Sequence, residues 1–115
     1  MGLDLKVGKD YLENSRIGSY SGFNDFRTTW AKHLGFNLNE MKGFGGKKNW
    51  TSEPLQCFFN HSDCDGFLTV NQAKEILEQA KKDYPKLKKD YGYQLQTLIA
   101  HCKKSIKENK EIEFC

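Results

Sequence analysis

Short stretches near the two ends of this chain alternate apolar and polar residues, while the middle repeats apolar residues every three or four positions. Residues 3 to 7 read Leu-Asp-Leu-Lys-Val and residues 111 to 114 read Glu-Ile-Glu-Phe. A period of two puts every second side chain on one face, as a strand requires. The two pieces are expected to lie near each other as a short terminal β-ribbon, a unit that needs helices packed on it. Ser21 to Leu34 reads as the first helix, because Phe23, Phe26, Trp30 and Leu34 form one apolar stripe. Ser21 or Asn24 suits its start and Gly35 its end. Asn37 caps a short turn of helix, Leu38 to Met41, which Gly43 stops.

Gly43-Phe44-Gly45-Gly46 reads as a flexible loop leading to Trp50. Pro54 suits the first turn of a second helix ending near Asn60, with Leu55, Phe58 and Phe59 on its buried side. Thr69-Val70-Asn71-Gln72 matches a capping box, in which Thr69 and Gln72 each satisfy a free backbone amide. The helix it opens carries Val70, Ala73, Ile76, Leu77 and Ala80 inward and is expected to break by Tyr84-Pro85. A last helix runs from about Asp90 to Lys107, with Tyr91, Leu95, Leu98, Ile99, Cys102 and Ile106 as its stripe and His101 off it.

Between the second helix and the capping box lies the stretch with the most chemistry, His61 to Gln72. An EF-hand loop places oxygens at positions one, three, five, seven, nine and twelve, a glycine at six for the sharp turn, and an aliphatic residue at eight. Asp63, Asp65, Gly66 and Leu68 occupy the third, fifth, sixth and eighth positions. Phe67 offers a backbone carbonyl at the seventh and Thr69 a hydroxyl at the ninth. Two ligands depart from the frame. His61 stands first, where imidazole nitrogen is a poor donor for a hard ion, and Gln72 stands twelfth, where a bidentate glutamate normally sits. The expected architecture is therefore a mainly α, single-domain chain, residues 1–115, built around one EF-hand-like helix-loop-helix at about 54–82. Calcium is expected to bind weakly or not at all. The alternative is that the loop survives as a turn in which Asp63 and Asp65 accept backbone amides. A softer site for zinc would join His61 and Cys64 to His101 and Cys102 with Asp63 or Asp65, but no paired cysteine motif supports it.

Composition narrows the remaining classes. Hydrophobic residues make up 37% and charged residues 29% of 115, a globular balance. No apolar run approaches the roughly 20 residues that span a bilayer, and the first residues are too polar for a signal peptide, so a cytoplasmic location away from membranes is expected. The cysteines (Cys57, Cys64, Cys102, Cys115) are expected to be free thiols in that compartment. Lysines crowd the C-terminal half, read as a solvated helix surface. With only Arg16 and Arg27 to contact phosphates and bases, nucleic acid is not an expected partner. Gly43 to Lys48 lacks the spacing of a phosphate loop. No Ser-His-Asp or Cys-His arrangement is legible, which argues against an enzyme. Phe23, Phe26 and Arg27 read as core packing with Arg27 paired to an acid, and His33 as a surface residue near a helix end.

Several motifs together resemble a known group. Tyr20-Ser21-Gly22-Phe23 with Phe26-Arg27, Met41 to Gly46, Trp50, Pro54-Leu55 and Asn60 to Gly66 are similar to a family of small uncharacterised bacterial and phage proteins, over roughly residues 18 to 80. The resemblance implies that His61 and Cys64 belong to the family pattern, and it implies no catalytic role. The function expected is a small binding or scaffold protein acting on a protein partner through the aromatic region around Tyr20, Phe44 and Trp50. The alternative is weak divalent-cation binding through His61, Asp63, Asp65, Phe67, Thr69 and Gln72.

Overall fold

The computed structural model describes residues 2–12, 15–51, 53, 55–61 and 65–115. Strand β1 (Leu3–Val7) is followed by β2 (Arg16–Gly18), helix α1 (Tyr20–His33), a 3-10 turn (Leu38–Glu40), the one-turn helix α2 (Gln56–Phe59), β3 (Phe67–Leu68), the long helix α3 (Val70–Glu108) and β4 (Ile112–Phe114). The strands form one antiparallel sheet in the order β2-β1-β4-β3. The end segments do pair, Leu5 with Phe114 and Val7 with Ile112, but as the middle of this sheet rather than as a ribbon. The expectation of a mainly α fold around an EF-hand-like helix-loop-helix is thereby corrected. The segment before the loop forms only the single turn Gln56–Phe59, entered through Leu55 in the left-handed region (φ 52). Across the loop, Phe67 pairs with Glu113 and Leu68 with Ile112, so the loop's short strand joins a sheet built from the ends of the chain. The expected helix start at Pro54 lies outside the described residues.

Alternation decides which sheet face is buried. Leu3, Leu5 and Val7 of β1, Ile17 of β2, Leu68 of β3 and Ile112 and Phe114 of β4 point into the core. On the outer face Asp4 takes two bonds from the Arg16 guanidinium (2.9 and 3.0 Å) and Lys6 pairs with Glu113 (3.2 Å). The inner face meets Phe23, Phe26 and Trp30 of α1 and Phe58 and Phe59 of α2, whose rings touch mostly edge to face. Such contacts add to the area the rings remove from water. Ser19, not Ser21 or Asn24, caps α1 by accepting from the Gly22 amide, and Gly35 follows the end with φ 102. Asn37 caps the 3-10 turn, and the Thr69–Gln72 capping box forms in both directions.

Helix α3 departs from expectation in two ways. It runs through Pro85, which is exposed, and leaves helical geometry only at Tyr91 (φ -130, ψ 25). A proline removes one backbone bond and crowds the carbonyl four residues back, a cost that is lowest where that carbonyl can tilt to water. The bend is large. Tyr84 Oη accepts from Gln96 Nε2 at 2.6 Å, although a straight helix would separate those residues by about 18 Å along its axis. Beyond the bend the buried stripe is Leu95, Leu98, His101, Cys102 and Ser105, with Ile99 and Ile106 only half-buried. His101 thus belongs to the core rather than lying off the stripe.

Candidate functional site

The 61–72 loop is tied into the sheet by its own residues. His61 packs its ring on Phe114 (centroids 4.1 Å apart), and its Nε2 lies 3.1 Å from the Phe67 carbonyl oxygen. A carbonyl can only accept, so Nε2 carries the proton in this bond. Gly66 turns the chain with φ 101, and a Cβ there would sit 3.0 Å from His61 Cε1. Both the backbone angle and the ring call for glycine at this position. Thr69 Oγ1 accepts from the Gln72 amide at 3.2 Å, and Gln72 Oε1 accepts from the Thr69 amide at 2.9 Å. The seventh, ninth and twelfth positions of the EF-hand-like frame are therefore engaged within the fold. Asp65 is exposed, and Asp63 lies, with Ser62 and Cys64, outside the described residues. Among the described residues no group of three or more His, Cys, Asp or Glu side chains converges to hold a metal ion.

The softer donors sit elsewhere. His101 donates from Nδ1 to the Thr97 carbonyl at 2.7 Å. Its Nε2 turns toward the Leu5 backbone without a well-formed hydrogen bond, and burial holds its pKa below the ordinary histidine value. Cys102 is buried beside it in sequence, and burial pushes its thiol up to about 12; burial raises Cys57 as well. Such groups stay protonated at neutral pH and are neither ready nucleophiles nor thiolate ligands.

Arg27 organises the entry to the loop. It is fully buried, with its guanidinium 4.6 Å from the Phe23 ring centroid and 5.2 Å from that of Phe44. Nη1 donates to the carbonyls of Phe59 (3.3 Å) and His61 (2.6 Å), at the C-terminal end of α2. A cation suits carbonyls left without helical partners. The acceptors described are backbone oxygens, and through them a side chain of α1 fixes where the loop begins.

A second polar centre was not anticipated. Asp83 of α3 is buried, and its Oδ2 accepts from Trp30 Nε1 and from Gln79 Nε2, both at 2.8 Å. Its Oδ1 lies 3.3 Å from His33 Nε2, so His33, exposed at the end of α1 as expected, also tethers that end to α3. A signal was present in the sequence: Ala73, Ile76, Ala80 and Asp83 continue one stripe at spacings of three and four, which places the carboxyl group on the inner face.

The aromatic region divides in two. Tyr20 stands at the start of α1 within electrostatic reach of Arg16, as does Tyr93, whose hydroxyl donates to the Arg16 carbonyl. Phe44 and Trp50 form a separate edge-to-face pair (6.0 Å), with Phe36 against Trp50 (6.1 Å) and against Phe59 (5.3 Å). Both rings are half-buried. Their loop is fixed rather than slack: Lys42 and Lys48 exchange backbone bonds with their surroundings, and Trp50 Nε1 donates to the Lys42 carbonyl at 3.0 Å. Gly46 is required because a Cβ would overlap the Glu40 carbonyl. Lys42, Lys47 and Lys48 are exposed around the pair, and residues 41 to 50 contain no acidic side chain.

The surface pockets among the described residues are shallow grooves. The largest described, between the end of α1 and the 3-10 turn, is lined by Thr28, Lys32, Phe36, Asn37 and Asn39. No helix among the described residues is long and apolar enough to cross a membrane. No protein-family model, curated protein or solved structure matches this chain.

Proposed function

We propose that this chain is a protein-binding module that docks its partner on the Phe44–Trp50 face, with the 61–72 loop serving as a structural joint. The observation that carries this reading is the half-buried Phe44–Trp50 pair on a backbone braced by Lys42, Lys48 and Gly46. Rigid aromatic side chains supply contact area at a low cost in conformational entropy, and Trp is prominent among residues that dominate interfaces. Arg27 stacks against the Phe44 ring and holds it from behind. Lys42, Lys47 and Lys48 set the chemistry of the rim, so the partner presents an apolar side chain flanked by carboxylates.

The test is a photo-crosslinking amino acid placed at position 44 and, as a control, at exposed Lys89 on α3. Crosslinking in an extract of the native host gives a discrete adduct from position 44 that unlabelled chain competes away and a folded Trp50→Ala chain does not. The adduct weakens as salt rises. Equal competition by wild type and Trp50→Ala, or the same adduct from position 89, removes this face from the account. The alternative, a weak calcium site using Asp63, Asp65, the Phe67 carbonyl and Thr69, draws on the left-handed turn at Gly66. Such an ion would have to take the Phe67 oxygen from His61.

A further inference from the structure

The bend in α3 has the properties of a hinge. A straight helix of 39 residues is about 58 Å long, yet the longest extent of the molecule is 37 Å. The whole redirection falls at Tyr91, the one residue inside the helix with non-helical angles, and Gly92 follows it. Moving Tyr91 from φ -130 and ψ 25 into the helical region would make α3 continuous. Few side-chain contacts described at the bend oppose this: Gln96 with Tyr84 crosses it, the Tyr91 hydroxyl lies 3.3 Å from that of Thr29, and the Tyr91 ring meets Phe26 at 5.7 Å. A surface groove of about 310 Å³ at the bend is lined by Tyr84, Gln96, Ile99 and Lys103.

What lies beyond the hinge cannot remain in water. Residues 92 to 115 carry buried Leu95, Leu98 and Cys102 and the whole of β4, with buried Ile112 and Phe114. β4 sits between two strands, paired with β1 through Leu5–Phe114 and with β3 through Leu68–Ile112. If α3 straightens, the surface complementary to this segment is the place vacated in another copy of the same chain. There each contact is remade between chains, so the closed and exchanged forms differ chiefly at the hinge. We propose that this chain forms a domain-swapped dimer in which α3 straightens at Tyr91 and two copies exchange residues 92–115.

The experiment refolds the full chain from denaturant at high protein concentration and reads its mass by size exclusion with light scattering. Wild type yields a dimer fraction that grows with refolding concentration. Tyr91→Ala, which releases the Thr29 contact and favours helix at the hinge, raises that fraction. Gly92→Pro lowers it at least about tenfold, because proline is tolerated in the first turn of a helix but not within a continuous one. Mixing chains with different isotope labels before refolding gives interchain contacts between Leu5 and Phe114 in the dimer. The proposal fails if wild type and Tyr91→Ala are both monomeric at every refolding concentration. It fails equally if a dimer forms whose Leu5–Phe114 contacts stay within one chain. Should Gly92→Pro not fold, the other two chains and the labelling decide.

Discussion

Replacing Asp83 by alanine tests whether one buried carboxyl group holds α1 against α3. Trp30 Nε1, buried with its ring in the core, donates to Asp83 Oδ2 at 2.8 Å, and Gln79 Nε2 donates to the same oxygen. Without Asp83 the indole donor has no described acceptor, and an orphaned buried donor costs about 1–3 kcal/mol. Half-buried Gln79 can turn to water, so its loss and that of the His33 pairing add about 1 kcal/mol. The expected destabilisation is about 2–4 kcal/mol. An unfolding entropy of about 2.1 cal/mol/K per residue over 115 residues turns that into a fall in Tm of about 8–17 °C. Thermal melts by circular dichroism read it directly. Trp30→Phe completes a double-mutant cycle: with the donor also gone, Asp83→Ala costs at least about 1 kcal/mol less than it does alone. An Asp83→Ala chain melting within about 2 °C of wild type, or additive effects in the cycle, would show that Asp83 does not hold α1 against α3.

Two other perturbations have definite signs. Burial holds the folded-state pKa of His101 below its unfolded value of about 6.5, so between those two values the unfolded chain binds more protons and stability rises with pH. The contribution is fully present above about pH 6.5 and is lost as pH falls through the folded pKa. The urea midpoint of wild type therefore drops more steeply from pH 7 to pH 5 than that of His101→Gln, and parallel slopes contradict it. Arg27→Met strips the charged donor from the Phe59 and His61 carbonyls and lowers stability by about 2–4 kcal/mol. Amide exchange should quicken first around residues 59 to 67, and uniform change along the chain would show that Arg27 does not organise the loop.

How much of this was legible follows from the range of each signal. The α1 stripe, the Asn37 turn and the Thr69–Gln72 box rest on neighbouring residues, and a sequence displays such patterns openly. β2 and β3 contain three and two residues, too few for alternation to register, and their strand identity comes from partners far along the chain. The sheet therefore went unread as a sheet, although its two middle strands show the right period. Pro85 carried the stronger breaker signal, but exposure let the helix pass through it, and the turn fell at Tyr91, ahead of Gly92. His101 lies on its stripe yet reads as off it because its side chain is polar, and Asp83 carries no chemistry-bearing motif; only tertiary partners such as Thr97 and Trp30 allow them inside. In the loop, His61 and Gln72 were legible as departures from a chelating frame. That they bond to Phe67 and Thr69 instead depended on the sheet and the helix start around them.

As proposed above, the 61–72 loop is a joint whose donors serve the fold. Amide NMR during a calcium titration in the millimolar range, the weakest range of calcium-binding modules, tests it most directly. The expected result is that Gly66, Phe67 and Thr69 keep their shifts and that Tm is the same in calcium as in chelator. Saturable movement of those amides, with a higher Tm in calcium, would mean that the His61–Phe67 bond yields to an ion and that the loop is a cation site after all.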